Sequence, residues 1–247
     1  MKITDLIQTE YSEVTQTDIS HLKGIRSSEV DELSSAFDTW FNSPSYRGDF
    51  WSGRTAENLV EHISYTQEDI SIFSVRLSLS EKYQNIGRDS FEKEGIFFSA
   101  LINAHYKKTK VKETYTLFLS DNCSDLGYLG INNDGATILI RGNAGFNVGE
   151  NMYSGKIIVT GYSNIGAGIK MMNGEIHLEE ALSLGQHMLG GKIFAKNVRG
   201  LIGAKMRGGE VHISESYDTI DRECSGNIYF KGELIYSKAK LNQRGKK

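Results

Sequence analysis

The sequence predicts a mainly β protein: a right-handed parallel β-helix, a single-stranded solenoid of about six to seven coils of roughly 17–20 residues, behind a small helical N-terminal region. Three observations carry this expectation. A strand phrase recurs as SGKIIV from Ser154, NGEIHL from Asn173, GGKIFA from Gly190, GGEVHI from Gly208 and SGNIYF from Ser225. A second phrase alternates with it: VGENM from Val148, LGQHM from Leu184 and IGAKM from Ile202. The first apolar residues of the strand phrases, Ile138, Ile157, Ile176, Ile193, Val211 and Ile228, are 19, 19, 17, 18 and 17 positions apart. A repeat this short cannot bury its own apolar face, so the copies must stack.

Within each strand phrase the apolar residues lie two apart, as in Ile157 and Val159 or Val211 and Ile213. Period two puts them on one face. The second phrase supplies the other side of the coil. Val148, Ile165, Leu184, Ile202 and Ile220 are expected to point inward, each of the first four followed by a glycine where the backbone turns. Met152, Met188 and Met206 follow those glycines by three residues and fill a further inward column. The third coil reads IGAGIKM: Met171 lies five after Gly166 or three after Gly168, implying a two-residue bulge. In the last coil Asp221 replaces the glycine and Cys224 the methionine, so the pattern decays toward an end cap. A left-handed hexapeptide helix would need an aliphatic every six residues. Stepping on from Ile202 meets Gly208 and Ser214 instead.

These iterated glycine coils, over residues 126–230, resemble the GxGxG-repeat β-helix of the C-terminal domain of the glutamate synthase large subunit. They also resemble the GxGxG-repeat subunit of formylmethanofuran dehydrogenase. The resemblance implies the fold and a structural or subunit-bridging role. In those systems the chemistry sits on other domains or chains, and fold by itself transfers no activity.

The domain expectation is a mostly helical region over 1–112, the β-helix over 113–236 and a basic tail over 237–247. Residues 1–21 are polar and read as an arm. Ser28 opens a helix whose stripe is Val30, Leu33, Phe37, Trp40 and Phe41, with Asp31 three residues on as a weak capping form, and which stops before Pro44. Tyr46, Arg47, Phe50 and Trp51 form an aromatic-rich loop that seals one helix against the next, or else contacts a ligand or partner. A second helix runs from Thr55 to about Tyr65, with His62 as a structural residue beside Leu59 and Ile63. The alternation V-R-L-S-L-S over 75–80 favours a strand, while 70–73 is ambiguous. Asp89 or Ser90 begins a helix carrying Phe91, Ile96, Leu101, Ile102 and Tyr106. Its Gly95 marks close packing, and the nearest surface is the start of the β-helix. The basic run 107–112 reads as a solvated turn. Tyr115, Leu117 and Leu119 line one face of a strand, and LGYLG from Leu126 is the first corner. Residues 233–236 add a last strand across the open end.

A net charge of −3 creates no basic field for nucleic acid. No apolar run is long enough to span a membrane, and the N-terminus has no signal-like apolar stretch. Cys123 and Cys224 have no metal-type spacing. The expectation is a cytoplasmic protein with a protein partner or homo-oligomeric state, without nucleic-acid or membrane association.

No catalytic, metal or cofactor-binding residue is assigned, and no cofactor is expected. The motifs of nucleotide loops, zinc peptidases and serine hydrolases are missing. The string GNAGFNVG over 142–149 leads into another strand phrase, whereas a dinucleotide loop opens a helix. His187 with Glu150 or Glu223 is the one acid–base pairing to consider, and no nucleophile accompanies it. The sharper feature is the outward column Leu139, Ile158, His177, Phe194, His212 and Tyr229. Such an apolar and aromatic ladder is normally covered. Helices are expected to cover its early rungs and a partner its later ones. Ile158, His177, Phe194, His212 and Tyr229 are therefore the candidate interaction face. His177 and His212, two coils apart at ~10 Å, are too far apart to share a zinc ion. Two functions follow: a non-catalytic scaffold or accessory subunit, or, on the resemblance, an enzyme subunit forming a wall of an active site or channel.

Overall fold

A computed structural model describes residues 27–42, 50–80, 88–119 and 126–237. The polar arm over 1–21, Tyr46, Arg47, Cys123 and the tail from Lys238 lie outside the described residues. The elements are helices α1 (Ser28–Phe41), α2 (Phe50–Val60), α3 (Gln67–Ser78) and α4 (Arg88–Thr109), then strands β1 (Tyr115–Phe118), β2 (Asp134–Arg141), β3 (Ser154–Ser163) and β4 (Glu175–Ala181). These are followed by β5 (Lys192–Ile202), β6 (Glu210–Ile220), β7 (Asn227–Phe230) and β8 (Glu233–Tyr236).

The strands form one sheet in sequence order, parallel from β1 to β7, with β8 returning antiparallel on β7. The register stacks Ile138 on Ile157, Ile176, Ile193, Val211 and Ile228, the spacing read in the sequence. Those six residues are 1 % exposed or less. They mark about five complete turns, fewer than the six to seven expected, with β1 as an extra rung beneath them.

The methionine and glycine columns are one device. A Cβ on Gly174 would lie 2.6 Å from the Met152 methyl, and one on Gly191 2.7 Å from that of Met171. Each methionine therefore reaches up into space that the next coil's glycine leaves empty. Met152, Met171, Met188 and Met206 are fully buried, and Cys224 continues the column at 2 % exposure.

The third coil corrects one inward residue. Ile165 is 55 % exposed, and Ala167 occupies the inward place, bridging to Leu184 and through it to Ile202. The corner conformation decides this. Gly149, Gly185 and Gly203 turn at φ near +70°, and Gly168, not Gly166, shares that value. The extra residues push Ile165 out to the surface. Ile165→Ser is expected to change stability by no more than about 0.5 kcal/mol, whereas Ala167→Leu should cost about 1–3 kcal/mol in thermal melts. A large loss from Ile165→Ser would contradict this register.

The helices form the lower end cap. Ser27, not Ser28, caps α1, its hydroxyl accepting from the Val30 amide at 3.3 Å. Helix α2 starts at Phe50 and ends at Val60, so Phe50 and Trp51 are helical and the later stretch to Tyr65 is not. The stretch over 75–80 is no strand: residues to Ser78 belong to α3. Its Thr66–Asp69 capping box fixes the helix start, with Asp69 N–H donating to the Thr66 hydroxyl and Thr66 N–H to the Asp69 carboxylate. Two serines of α3 just ahead of that alternation are partners for the open edge of β1. Ser71 Oγ donates to the Thr116 carbonyl at 2.8 Å, and the Phe118 amide donates to Ser74 Oγ at 2.9 Å. An unpaired strand edge invites association, and here side chains of a helix satisfy it.

Helix α4 closes the first corner in the same way. Ser99 Oγ donates to the Tyr128 carbonyl and accepts from the Gly130 amide, while Asn103 Nδ2 donates to the Ile131 carbonyl. At the far end, Tyr236 Oη of β8 donates to the Cys224 carbonyl at 3.1 Å. With both ends closed, the solenoid's lateral faces are what it presents.

Candidate interaction face

The parallel register aligns the outward column of β2 to β7 as the sequence spacing requires: Leu139, Ile158, His177, Phe194, His212, Tyr229. The four rings stack. Centroids are 4.6 Å apart from His177 to Phe194, 4.8 Å from Phe194 to His212 and 4.5 Å from His212 to Tyr229, with interplanar angles of 19°, 19° and 2°. The stack follows from the ~4.8 Å strand spacing, which matches ring separation in offset stacking.

Exposure divides the ladder. Leu139, Ile158 and His177 are 2 %, 1 % and 6 % exposed, so the chain itself covers the early rungs. Phe194, His212 and Tyr229 are only half-buried. Sequence spacing places all six residues on one face, but it does not show where the cover stops.

Charges flank the rings on both sides. Two residues before each ring lie Glu175, Lys192, Glu210 and Asn227, with Lys156 one rung below, all in register. His177 Nε2 meets Glu175 Oε2 at 3.0 Å and His212 Nε2 meets Glu210 Oε2 at 2.9 Å. With the carboxylates ionised, both imidazoles carry their proton on Nε2. That leaves His177 Nδ1 buried without a hydrogen-bond partner. Burial holds the His177 imidazole below its ordinary pKa, against the Glu175 hydrogen bond that raises it. The hydrogen bond from His212 holds the Glu210 carboxyl below its usual range. On the other side Glu179 pairs with Lys196.

This arrangement suits contact, not chemistry. The Phe194 ring lies between the two imidazoles, so no single ion bridges them. No group of three or more His, Cys, Asp or Glu residues fit to hold a metal occurs among the described residues. The acid–base pairing at the corners does not form either. Glu150 is engaged by Asn147 Nδ2 at 2.9 Å and by Lys170 Nζ at 3.5 Å. His187 and Lys205 share the same left-handed corner position, φ 53° and 51°, which puts Lys205 on the rung between His187 and Glu223.

Sequence reading missed a cleft of about 770 Å³ on the helical region, lined by His62, Tyr65, His105 and Lys108 among others. Two of its polar groups are committed internally. Tyr65 Oη donates to the Leu101 carbonyl at 2.9 Å, and His105 Nδ1 lies 2.7 Å from Tyr115 Oη. Burial pushes the Tyr115 hydroxyl up to about 12 and the His105 imidazole down. No single sequence segment signals this cleft, because two separate stretches, 57–65 and 104–109, wall it.

No helix among the described residues is long and apolar enough to cross a membrane. Comparison with protein-family models, curated proteins and solved structures finds no match to this chain.

Proposed function

We propose that this chain is a non-catalytic scaffold or accessory subunit that docks a protein through the later rungs of its ring ladder. The observation that carries this reading is the accessible end of the stack, Phe194, His212 and Tyr229, on a rigid solenoid whose two ends are already capped. Aromatic side chains framed by charges are the composition of an interface centre with a polar rim. The subunit-bridging role implied by the resemblance to GxGxG-repeat β-helices points the same way.

Affinity purification from the native cell, followed by mass spectrometry, identifies the partner. Phe194→Asp and Tyr229→Asp should each abolish co-purification, since a buried unpaired charge at an interface centre weakens binding by a hundredfold or more, roughly 3 kcal/mol. Their circular dichroism and melting should stay near wild type, because both side chains point away from the solenoid interior. If both variants retain every partner of the wild type, this face is not the docking surface.

A further inference from the structure

We infer that the occupant of this face is a second copy of the same chain, related by a two-fold axis that runs along the strands midway between β5 and β6. The inference rests on the docking reading above and names its partner. Its basis is the sign pattern beside the rings.

Reading up the stack, the column before the rings is Lys156, Glu175, Lys192, Glu210. Positive and negative charges alternate and cancel. Such a column offers no net field to an acidic or a basic partner. It is complementary to an inverted copy of itself, and the symmetry can be worked out rung by rung.

A two-fold parallel to the solenoid axis lays the column before the rings against the column after them at equal height. Lys192 then faces the partner's Lys196, and Glu175 faces the partner's Glu179, so like charges meet. A two-fold along the strands but passing through β6 sets Glu210 against the partner's Glu210. Moving that axis to lie between β5 and β6 sets Lys192 against the partner's Glu210, twice by symmetry, and Phe194 against the partner's His212. An axis between β4 and β5 also pairs opposite charges, but it centres on His177, whose side chain is 8 % exposed. Between β5 and β6 the side chains are reachable: Lys192 49 %, Glu210 32 % and His212 27 % exposed. Within one chain Lys192 Nζ and Glu210 Oε2 are 3.5 Å apart, so a dimer turns one loose pair into a four-membered ring of alternating charge.

Sedimentation velocity on the full chain, over about 1–100 µM, tests this. Wild type should form a dimer. Lys192→Glu and Glu210→Lys should each raise the dimer dissociation constant by roughly tenfold or more, since each sets like charges face to face. An equimolar mixture of the two variants should recover a heterodimer of near wild-type affinity. In the mixture the glutamate at position 192 of one chain meets the lysine at 210 of the other. The broken pair within each chain is the same alone or mixed, so only the contact between chains explains recovery. A wild type that stays monomeric overturns the inference, as does a dimer that neither variant weakens or a mixture that fails to recover. A monomeric wild type that loses a different partner on Phe194→Asp overturns self-association and leaves the docking reading standing. Retention of all association by Phe194→Asp removes both.

Discussion

Gly95→Ala should destabilise this protein by about 2–3 kcal/mol, lowering its melting temperature by roughly 5–10 °C. Helix propensity alone predicts the opposite sign, a gain of about 1 kcal/mol for alanine over glycine inside a helix. The packing overrides it. A Cβ on Gly95 would overlap the carbonyl oxygen of Gly127 and lie 2.9 Å from its carbonyl carbon. The Cβ is fixed by the helix main chain and meets main chain, so no rotamer change relieves it. To make room, α4 must lift from the first corner of the solenoid. That strains the bonds of Ser99 to Tyr128 and Gly130, and of Asn103 to Ile131. Ser99→Ala, which strands the buried Gly130 amide, should cost about 1–3 kcal/mol alone. Combined with Gly95→Ala it should cost less than the sum, because both loosen one contact. Denaturant unfolding of the two variants and the double checks this. A Gly95→Ala protein as stable as wild type would mean that α4 does not seat on Gly127.

The second large effect is a dependence on pH. Glu94 is 2 % exposed, its Oε1 has no hydrogen-bond partner, and burial pushes its carboxyl up to about 8 from an ordinary value of 4.5. Between those two values the folded chain keeps the proton and the unfolded chain releases it. Folding stability from this group is therefore intact below about 4.5 and falls as pH rises to about 8, by about 1.4 kcal/mol per pH unit at most. Glu94→Gln removes the titration. Its stability profile from pH 5 to 9 should be flatter than that of wild type by several kcal/mol in total, roughly. The slope is the readout, since a buried amide shifts the whole curve by a constant amount. His177 acts with the opposite sign. Its lowered pKa means that stability falls as pH drops through the ordinary histidine range and the unfolded chain takes the proton first. Parallel profiles for wild type and Glu94→Gln would show that Glu94 is ionised in the folded chain.

Neither effect can be read from composition. Gly95 announces close packing by standing in a helix, but the residue it meets, Gly127, lies 32 positions on. Glu94 reads as an ordinary helix residue until its surroundings are known.

The strand expectation over 75–80 failed for a physical reason. Alternating polarity records which residues face apolar or polar surroundings, and in α3 the polar members serve helix contacts: Ser78 Oγ donates to the Val75 carbonyl and Arg76 pairs with Asp31 of α1. The Thr66–Asp69 capping box, which the sequence reading passed over, is the local feature that starts the helix. At the third coil, the choice between Gly166 and Gly168 turned on which glycine adopts the corner conformation. Spacing left both open.

What the sequence determined by itself is the column: the rung register from Ile138 to Ile228, the inward methionine column and the outward ring ladder. Each depends only on neighbours one coil away, so the repeat period encodes it. What only the tertiary structure decided is which parts of that column meet solvent. The limit of the ladder's cover at Phe194 and the meeting of Gly95 with Gly127 in particular depend on chain segments distant in sequence, and a local period carries no record of them.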